Sequence, residues 1–223
     1  TFARAVLLAS GAAVTGWAAG WTTGSGQTAT EPRTVSGFSA IGVGGSIDVV
    51  VRQSGKEGVE VKADDNILPL VETVVEGSGD NRRLKIQFKR GESVRTKNPV
   101  VVTVDVINLK ALAMSGSGDA VIESLNTPAF ALSLSGSSDA VIKKIETPKF
   151  TVSISGSGDV KAAGLAGQCE ISIAGSGDVA SRDLSCDDVS VSIAGSGDTK
   201  ITAKKTKAAS IAGSGEVEYS GGA

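Results

Sequence analysis

A five-residue turn motif recurs six times in the second half of the chain and constrains the fold more than any other feature. Each copy reads Ser-Gly-Ser-Gly-Asp or a close variant, and successive copies lie 18 to 20 residues apart. A period of this length is typical of stacked repeat proteins, in which each repeat forms one coil. The acids that end the six copies are Asp119, Asp139, Asp159, Asp178, Asp198 and Glu216.

The residues between the turns keep the same phase as the turns. The positions five and seven residues before each acid are apolar in every copy, and the position between them is alanine once and then serine. This alternation is typical of a strand with one buried face. The inward sets are Met114, Leu134, Ile154, Ile173, Ile193 and Ile211, and Leu112, Leu132, Val152, Ile171, Val191 and Ala209; the outward set is Ala113, Ser133, Ser153, Ser172, Ser192 and Ser210.

One coil cannot bury its apolar side alone, whereas coils stacked about 4.8 Å apart form a continuous core. We therefore predict a β-solenoid of about six 18–20-residue coils over residues 111–223. Phe130 and Phe150 share one phase, so their rings are expected in neighbouring layers.

Residues 36–110 predict a further β-rich part that leads into the solenoid. Alternating apolar residues mark strands around 47–51, 59–61, 84–88 and 100–106. A short helical turn is expected at 66–71, and the Gly-Ser-Gly-Asp at 77–80 is typical of a hairpin turn outside the ladder. With 29 glycines and only 4% aromatic residues, the composition also favours an all-β protein.

Residues 1–21 form an apolar segment whose single charge is Arg4. Two interpretations remain open: a secretory signal cleaved after the small residues at 18–20, or a retained transmembrane helix with Arg4 on the cytoplasmic side. Both interpretations predict that the rest of the chain is exported. Residues 22–35, rich in threonine, glycine and serine, are expected to form a flexible tether.

Three features of this segment favour the retained helix. A helix of this length would span about 30 Å, which is enough to cross a bilayer. Trp17 and Trp21, one turn apart, would lie at the far membrane interface. Ala12, Gly16 and Gly20 form a small-residue stripe that lets another transmembrane helix approach closely. We therefore expect an inner-membrane anchor, a periplasmic β-domain and a protein partner in or at the membrane.

Six acids at one phase would form a column of carboxylates, for which we considered three roles. Each acid could accept hydrogen bonds from the backbone of its own turn, the column could bind calcium, or two acids could serve a carbohydrate-active enzyme. Because the column repeats one environment, it lacks the separated pKa values that acid–base catalysis needs. The structural role is favoured, and we assign no catalytic residue, metal site or cofactor.

The overall composition narrows the function further. The absence of histidine removes the commonest general base and zinc ligand, and a net charge of -2 without long basic runs argues against nucleic-acid binding. Cys169 and Cys186 fall in successive coils, and an even cysteine count in an exported protein favours a disulfide. Two free buried thiols are the alternative.

An ordered set of motifs resembles one protein family. The order is Phe-Ser-Ala-Ile at 38–41, Ile-Asp-Val-Val-Val at 47–51, Val-Val-Thr-Val at 101–104, Leu-Lys-Ala-Leu at 109–112, and then the first Ser-Gly-Ser-Gly-Asp at 115–119. Over residues 36–219 the chain resembles the head GIN domain family, which is described as "putative auto-transporter adhesin". The resemblance implies an exported β-rich module that ends in a β-helix-like stack, and it brings no catalytic residues.

These observations predict a non-enzymatic envelope module that uses a flat solenoid surface for binding or adhesion, with an envelope polysaccharide as one candidate ligand. The first alternative is an accessory structural subunit of a larger membrane complex, held by its N-terminal helix. The second alternative is a carbohydrate-active enzyme.

Overall fold

A computed structural model describes residues 20–222, and this part of the chain is an all-β solenoid. Its only helical elements are two short 3-10 turns, Leu68–Leu70 and Gly79–Asn81. The strands are β1 (Trp21–Thr23), β2 (Thr28–Arg33), β3 (Ala40–Gly45), β4 (Asp48–Gln53), β5 (Gly58–Asp64), β6 (Val71–Glu76), β7 (Arg83–Phe88), β8 (Ser93–Arg95), β9 (Val101–Val106), β10 (Ala111–Gly116), β11 (Ala120–Ile122), β12 (Leu125–Asn126), β13 (Phe130–Gly136), β14 (Ala140–Gly156), β15 (Val160–Gly175), β16 (Val179–Gly195), β17 (Thr199–Gly213) and β18 (Val217–Ser220).

Three stacks of parallel strands form the sides of the solenoid. Face A consists of β7, β3, β10 and β13, continued by the last residues of β14, β15, β16 and β17. Face B consists of β9, β4 and β11, continued by the first residues of β14 to β17 and by β18. Face C consists of β12 and the middle residues of β14 to β17. Each glycine-rich turn connects face A to face B.

The predicted inward ladders form the core of face A. From Leu112 and Met114 to Val191 and Ile193 these side chains are at most 3% exposed. The last rung differs from the prediction, because Ala209 is exposed and Ile211 is 43% exposed. This rung is packed on one side only, and the side chain of Tyr219 covers part of it, with the hydroxyl donating a hydrogen bond to the Ala208 carbonyl at 2.7 Å.

The solenoid begins earlier than the predicted boundary at residue 111. Strands β3 and β4 form the face A and face B sides of a first coil, since β3 pairs in parallel with β10, and β4 pairs with β11. Antiparallel strands then extend both faces at this end: β6 follows β7 on face A, and β5 and β2 follow β9 on face B. The 36–110 part is therefore one solenoid coil with a capping layer of strands.

The N-terminal predictions require correction where the chain is described. Trp21 begins strand β1, which pairs with β8, and its ring lies 5.6 Å from the Arg95 guanidinium instead of ending a helix at a membrane interface. Residues 22–35 contain β1 and β2 where a flexible tether was expected. From residue 20 to residue 222, no helix is long and apolar enough to cross a membrane.

The carboxylate of Asp64 fixes the loops around these first strands. Asp64 is fully buried, and its side chain accepts hydrogen bonds from the Lys97 backbone at 2.9 Å and from the Asn98 amide at 2.6 Å. The Lys97 hydrogen bond is the main reason that the pKa of Asp64 lies below its ordinary value, against the opposing effect of burial. This ionised carboxylate holds the 96–98 segment against the end of β5.

A buried hydroxyl on face B offers a route to higher stability. Thr199 occupies the register of Val160 and Val179, is fully buried, and its hydroxyl has no hydrogen-bond partner within residues 20–222. Because valine keeps the shape and removes the unpaired hydroxyl, Thr199→Val should raise the free energy of unfolding by about 1 kcal/mol in urea titrations.

The matched control is Thr202→Val on the same strand. The Thr202 hydroxyl donates to the Arg182 carbonyl at 2.7 Å, so this variant should instead lower the free energy of unfolding, by about 1 kcal/mol. Equal destabilisation by both substitutions would show that the Thr199 hydroxyl is paired in solution.

Candidate functional site

The acids of the repeated turns lie in one column along the corner between faces A and B. Four of these six carboxylates, and that of Asp48, accept a hydrogen bond from the backbone N–H of the acid in the next coil, whereas a bond within its own turn was expected for each acid. The bonds run from Asp119 to Asp48 (2.9 Å), Asp159 to Asp139 (2.8 Å), Asp178 to Asp159 (2.9 Å), Asp198 to Asp178 (2.8 Å) and Glu216 to Asp198 (2.9 Å). The acids therefore tie adjacent coils together.

Asp48 is a further member of this column that the sequence interpretation missed. Its turn, Gly44-Gly45-Ser46-Ile47-Asp48, has the length of the later turns, and Gly45 has a positive φ like its counterparts. Ile47 stands where most later turns have glycine, and 71 residues separate Asp48 from the next acid. All seven turns have Gly-Ser at their second and third positions and an acid at the fifth, and a search for this looser pattern would have found Asp48.

Backbone hydrogen bonds already occupy part of the carboxylate column. Within residues 20–222, no group of three or more carboxylates and cysteines is close enough to hold a metal ion. One oxygen of most of these carboxylates is already occupied by a backbone N–H, which leaves the column a structural element of the corner.

Replacement of one acid should measure this structural role. Asp159→Ala removes the acceptor for the Asp178 N–H, so the free energy of unfolding should fall by about 1 kcal/mol. Asp159→Asn keeps the Oδ1 acceptor, so its free energy of unfolding should fall by less than half as much as that of Asp159→Ala. Thermal unfolding with and without added calcium provides the second measurement: a midpoint raised by calcium in the parent protein but not in Asp159→Asn would favour the cation-binding role instead.

The outward side of face A is flat and covered by small side chains. Its central row, which we call the serine row, consists of Ala113, Ser133, Ser153, Ser172, Ser192 and Ser210, and all five serines are exposed as predicted. Neighbouring strands lie about 4.8 Å apart, so the hydroxyls repeat at that interval across the face.

A step interrupts face A where the serine row meets the first coil. The outward positions of β3 are Gly42 and Gly44, and those of β10 include Ala111 and Ala113, so this strip has almost no side chains. The long side chains of β7 border one side of this strip. Arg83 extends across Gly42, and its Cδ is 3.2 Å from the position that a Cβ on Gly42 would occupy. We call this strip, with its wall of Arg83, Lys85 and Gln87, the shelf.

Two adjoining hollows lie on the shelf along β3. Their volumes are about 520 and 230 Å³, and both are lined by Arg83 and Ala113. The larger hollow extends to Lys110 and Asp80, and the smaller one reaches Lys85 and Ser115. The sequence interpretation did not identify the shelf, although glycines at alternate outward positions of a strand signal an open surface there.

A disulfide crosses the interior between successive coils. Cys169 on β15 and Cys186 on β16 are fully buried, their Cα atoms are 6.1 Å apart, and their sulfur atoms are bonded. The two residues are out of register, because Cys169 pairs with Val189 on face A, whereas Cys186 pairs with Ala166 on face C. The bond therefore links two faces as well as two coils.

The residues proposed for membrane-helix packing fall mostly outside the described part of the chain. Ala12, Gly16 and Trp17 lie outside residues 20–222. Gly20 is exposed, and a Cβ added to it would have no other atom within 4 Å. Trp21 belongs to strand β1, as described above.

Solved structures share this fold over most of the chain. A "putative adhesin" from Bacteroides fragilis matches with a TM-score of 0.79 at 24% identity, covering 89% of this chain and 100% of its own. A "putative lipid binding protein" from Parabacteroides distasonis has a TM-score of 0.69 at 22% identity, over 90% and 100% of the two chains. A "putative adhesin" from Parabacteroides merdae has a TM-score of 0.67 at 24% identity, over 89% and 98%. At these identities the likeness shows the fold.

Sequence comparison identifies the family. No curated protein matches the chain. Residues 37–223 match the family described as "Putative auto-transporter adhesin, head GIN domain", which confirms the resemblance carried by the strand and turn motifs. The chain therefore belongs to the head GIN domain family.

Proposed function

We propose that this protein is a non-enzymatic cell-envelope module of the adhesion type, and that the outward side of face A is its binding surface. The observation that carries the proposal is the serine row, a flat array of exposed hydroxyls whose strands, except the last, are paired on both sides. Because these strands are already held in place, a ligand that docks on them orders little additional chain, which favours binding.

The array also fits weak contacts repeated many times. Each hydroxyl can donate and accept one or more hydrogen bonds, and equivalent hydroxyls recur from coil to coil. Repeated weak contacts to an extended surface increase the overall affinity without a deep pocket. The family description and the names of the solved adhesin-like proteins support the same function.

The test is sedimentation of the purified full chain with isolated bacterial envelope material. Ser172→Arg places a long charged side chain on face A without touching the core, so the bound fraction should fall by about tenfold if the flat surface is used. The matched control is Ala180→Arg, an equally exposed small residue on face B, which should bind as the parent protein does.

Two results would contradict this proposal. Failure of the parent protein to sediment with envelope material would remove the binding function. Equal binding by Ser172→Arg and the parent protein would move the binding surface away from face A.

We also propose that the β-domain lies on the exported side and is held by a membrane helix formed by the residues before Gly20. The Cys169–Cys186 disulfide supports export, because such bonds persist in oxidising compartments. Titration of the unreduced, denatured protein should detect no free thiol. The intact mass of protein purified from membranes should retain the residues around Arg4, whereas a shorter mass would identify a cleaved signal.

The accessory-subunit alternative depends on the small-residue stripe in the same segment. Gly16→Leu would block close approach of another helix, whereas Ala13→Leu changes a residue beside the stripe. Loss of co-purifying membrane proteins from Gly16→Leu alone would favour the accessory role. Unchanged co-purification in both variants would favour a tethered adhesin.

A further inference from the structure

The groups around the shelf carry more positive than negative charge. Arg83 and Lys110 form no ion pair with any residue from 20 to 222, and Lys85 is paired with Glu76 at 3.0 Å. Asp80, at the end of the larger hollow, is the remaining acid. Three cations thus face two acids, on a chain whose net charge is -2. The shelf therefore has a local excess of one positive charge.

The arrangement of these cations suits an extended ligand. Arg83 and Lys85 occupy alternate positions of β7, so they project from the same side and are about 6.8 Å apart along the strand. The floor beside them runs the length of β3, which is about 20 Å for six residues. A linear chain with repeated anionic groups would meet successive cations while lying on the glycine and alanine floor.

A peptide is a poor fit to this floor. Extended peptides gain affinity by hydrogen bonding their backbone to an open strand edge. Strand β3 is paired with β7 on one side and β10 on the other, so the shelf offers no such edge. The hydrogen-bonding groups available to a ligand are side chains, including Gln87, Asn81 and Ser115. Hydroxyl-rich ligands can use these groups directly.

A neutral sugar chain is also disfavoured. Among residues 20–222, no aromatic side chain lines either hollow, so ring stacking against sugar faces does not provide the affinity. Ion pairs and charge-assisted hydrogen bonds from Arg83 and Lys110 must provide it instead. The surface therefore selects for charge on the ligand.

We propose that the shelf binds a segment of an anionic polysaccharide, with Arg83 and Lys110 contacting its acidic groups. This inference rests on the proposed binding function and specifies a ligand class and a position on face A. The absence of a side chain at Gly42 lets Arg83 lie close to the sheet, where its guanidinium binds an acidic group, and the small side chain of Ala113 beside it leaves room for the sugar ring.

The experiment is isothermal titration of the full chain, in mild detergent, with polygalacturonate. Neutral dextran and poly-L-glutamate serve as the uncharged-sugar and acidic-peptide probes. The double variant Arg83→Gln/Lys110→Gln should bind polygalacturonate about tenfold more weakly than the parent protein. The control Lys161→Gln/Lys200→Gln makes the same change in net charge at exposed residues of face B, and its affinity should be unchanged. Raising the salt from about 50 to about 200 mM should weaken binding.

Each contrary outcome has a defined meaning. Equal weakening in both double variants would show attraction by net charge alone, and equal or tighter binding of poly-L-glutamate would replace the polysaccharide with an acidic peptide; both overturn the inference. If the parent protein sediments with envelope material but does not bind polygalacturonate, the shelf inference fails and the proposed function stands. If it does neither, both fail.

Discussion

A Gly175→Ala variant should lose about 4 kcal/mol of its free energy of unfolding, because two separate costs coincide at this residue. The φ of Gly175 is +139°, a region that side-chain-bearing residues rarely adopt. An added Cβ would also lie 2.2 Å from the Gly156 carbonyl oxygen of the preceding coil. Every turn of the ladder has a glycine of positive φ at this register, from Gly45 to Gly213.

Two control variants separate these costs in urea titrations followed by circular dichroism. Gly79→Ala has a positive φ of +57° but nothing within 4 Å of the added Cβ, so it should lose about 1 kcal/mol. Gly177→Ala has an ordinary φ but places its Cβ 2.1 Å from the Gly158 carbonyl. Because Ser138 accommodates a side chain at the equivalent position, Gly177→Ala should be intermediate. Similar losses in all three variants would contradict the two-cost explanation.

Truncation of one ring in the aromatic pair should be the other large effect. Phe130 and Phe150 are each 1% exposed, and their rings are stacked with centroids 6.0 Å apart and planes 7° from parallel. Phe150→Ala should lower the free energy of unfolding by about 4 kcal/mol, because the neighbouring coils are fixed by strand pairing and cannot collapse into the cavity. Phe150→Leu should lose about 1.5 kcal/mol.

A double-mutant cycle of Phe130→Leu and Phe150→Leu measures the stacking itself. The coupling energy between the two sites should be about 1 kcal/mol. Leu165→Ala, at a side chain that is 53% exposed on the outside of face C, is the surface control and should change stability by less than about 0.5 kcal/mol. A loss at Phe150 no larger than at Leu165 would show that the rings do not pack in solution.

The period-two and period-twenty patterns predicted most of the core. Leu112 and Met114, with their counterparts in the next four coils, are buried, and the serines between them are exposed. These positions were predictable because every coil repeats the same environment. The same alternation of buried and exposed residues therefore recurs in all six sequence repeats. The stacked Phe130 and Phe150 followed from the same phase, and the hairpin at 77–80 does join the antiparallel strands β6 and β7.

The first coil was missed because it lacks that repetition in sequence. Between β4 and β10 the chain inserts the strands of the capping layer, so Asp48 is 71 residues from its neighbour in the column and Ile47 interrupts the motif. Residues 22–35 were interpreted as a tether from their composition, yet β2 forms an antiparallel pair with β5. Composition describes local preference, whereas strand pairing with a distant segment decides whether such a stretch is ordered.

By itself, the sequence determined that this is an all-β solenoid with apolar columns inside and a serine row outside, because repeated spacing encodes a repeated environment. Only the tertiary structure decided how the coils are joined and where the surface changes. Most of the acids bond to the next coil because stacking brings their carboxylates to the N–H of the acid above, and not to their own turn. The shelf exists because Arg83 and Gly42, 41 residues apart, become neighbours when β7 pairs with β3. Such juxtapositions arise from strand pairing, to which local sequence patterns are insensitive.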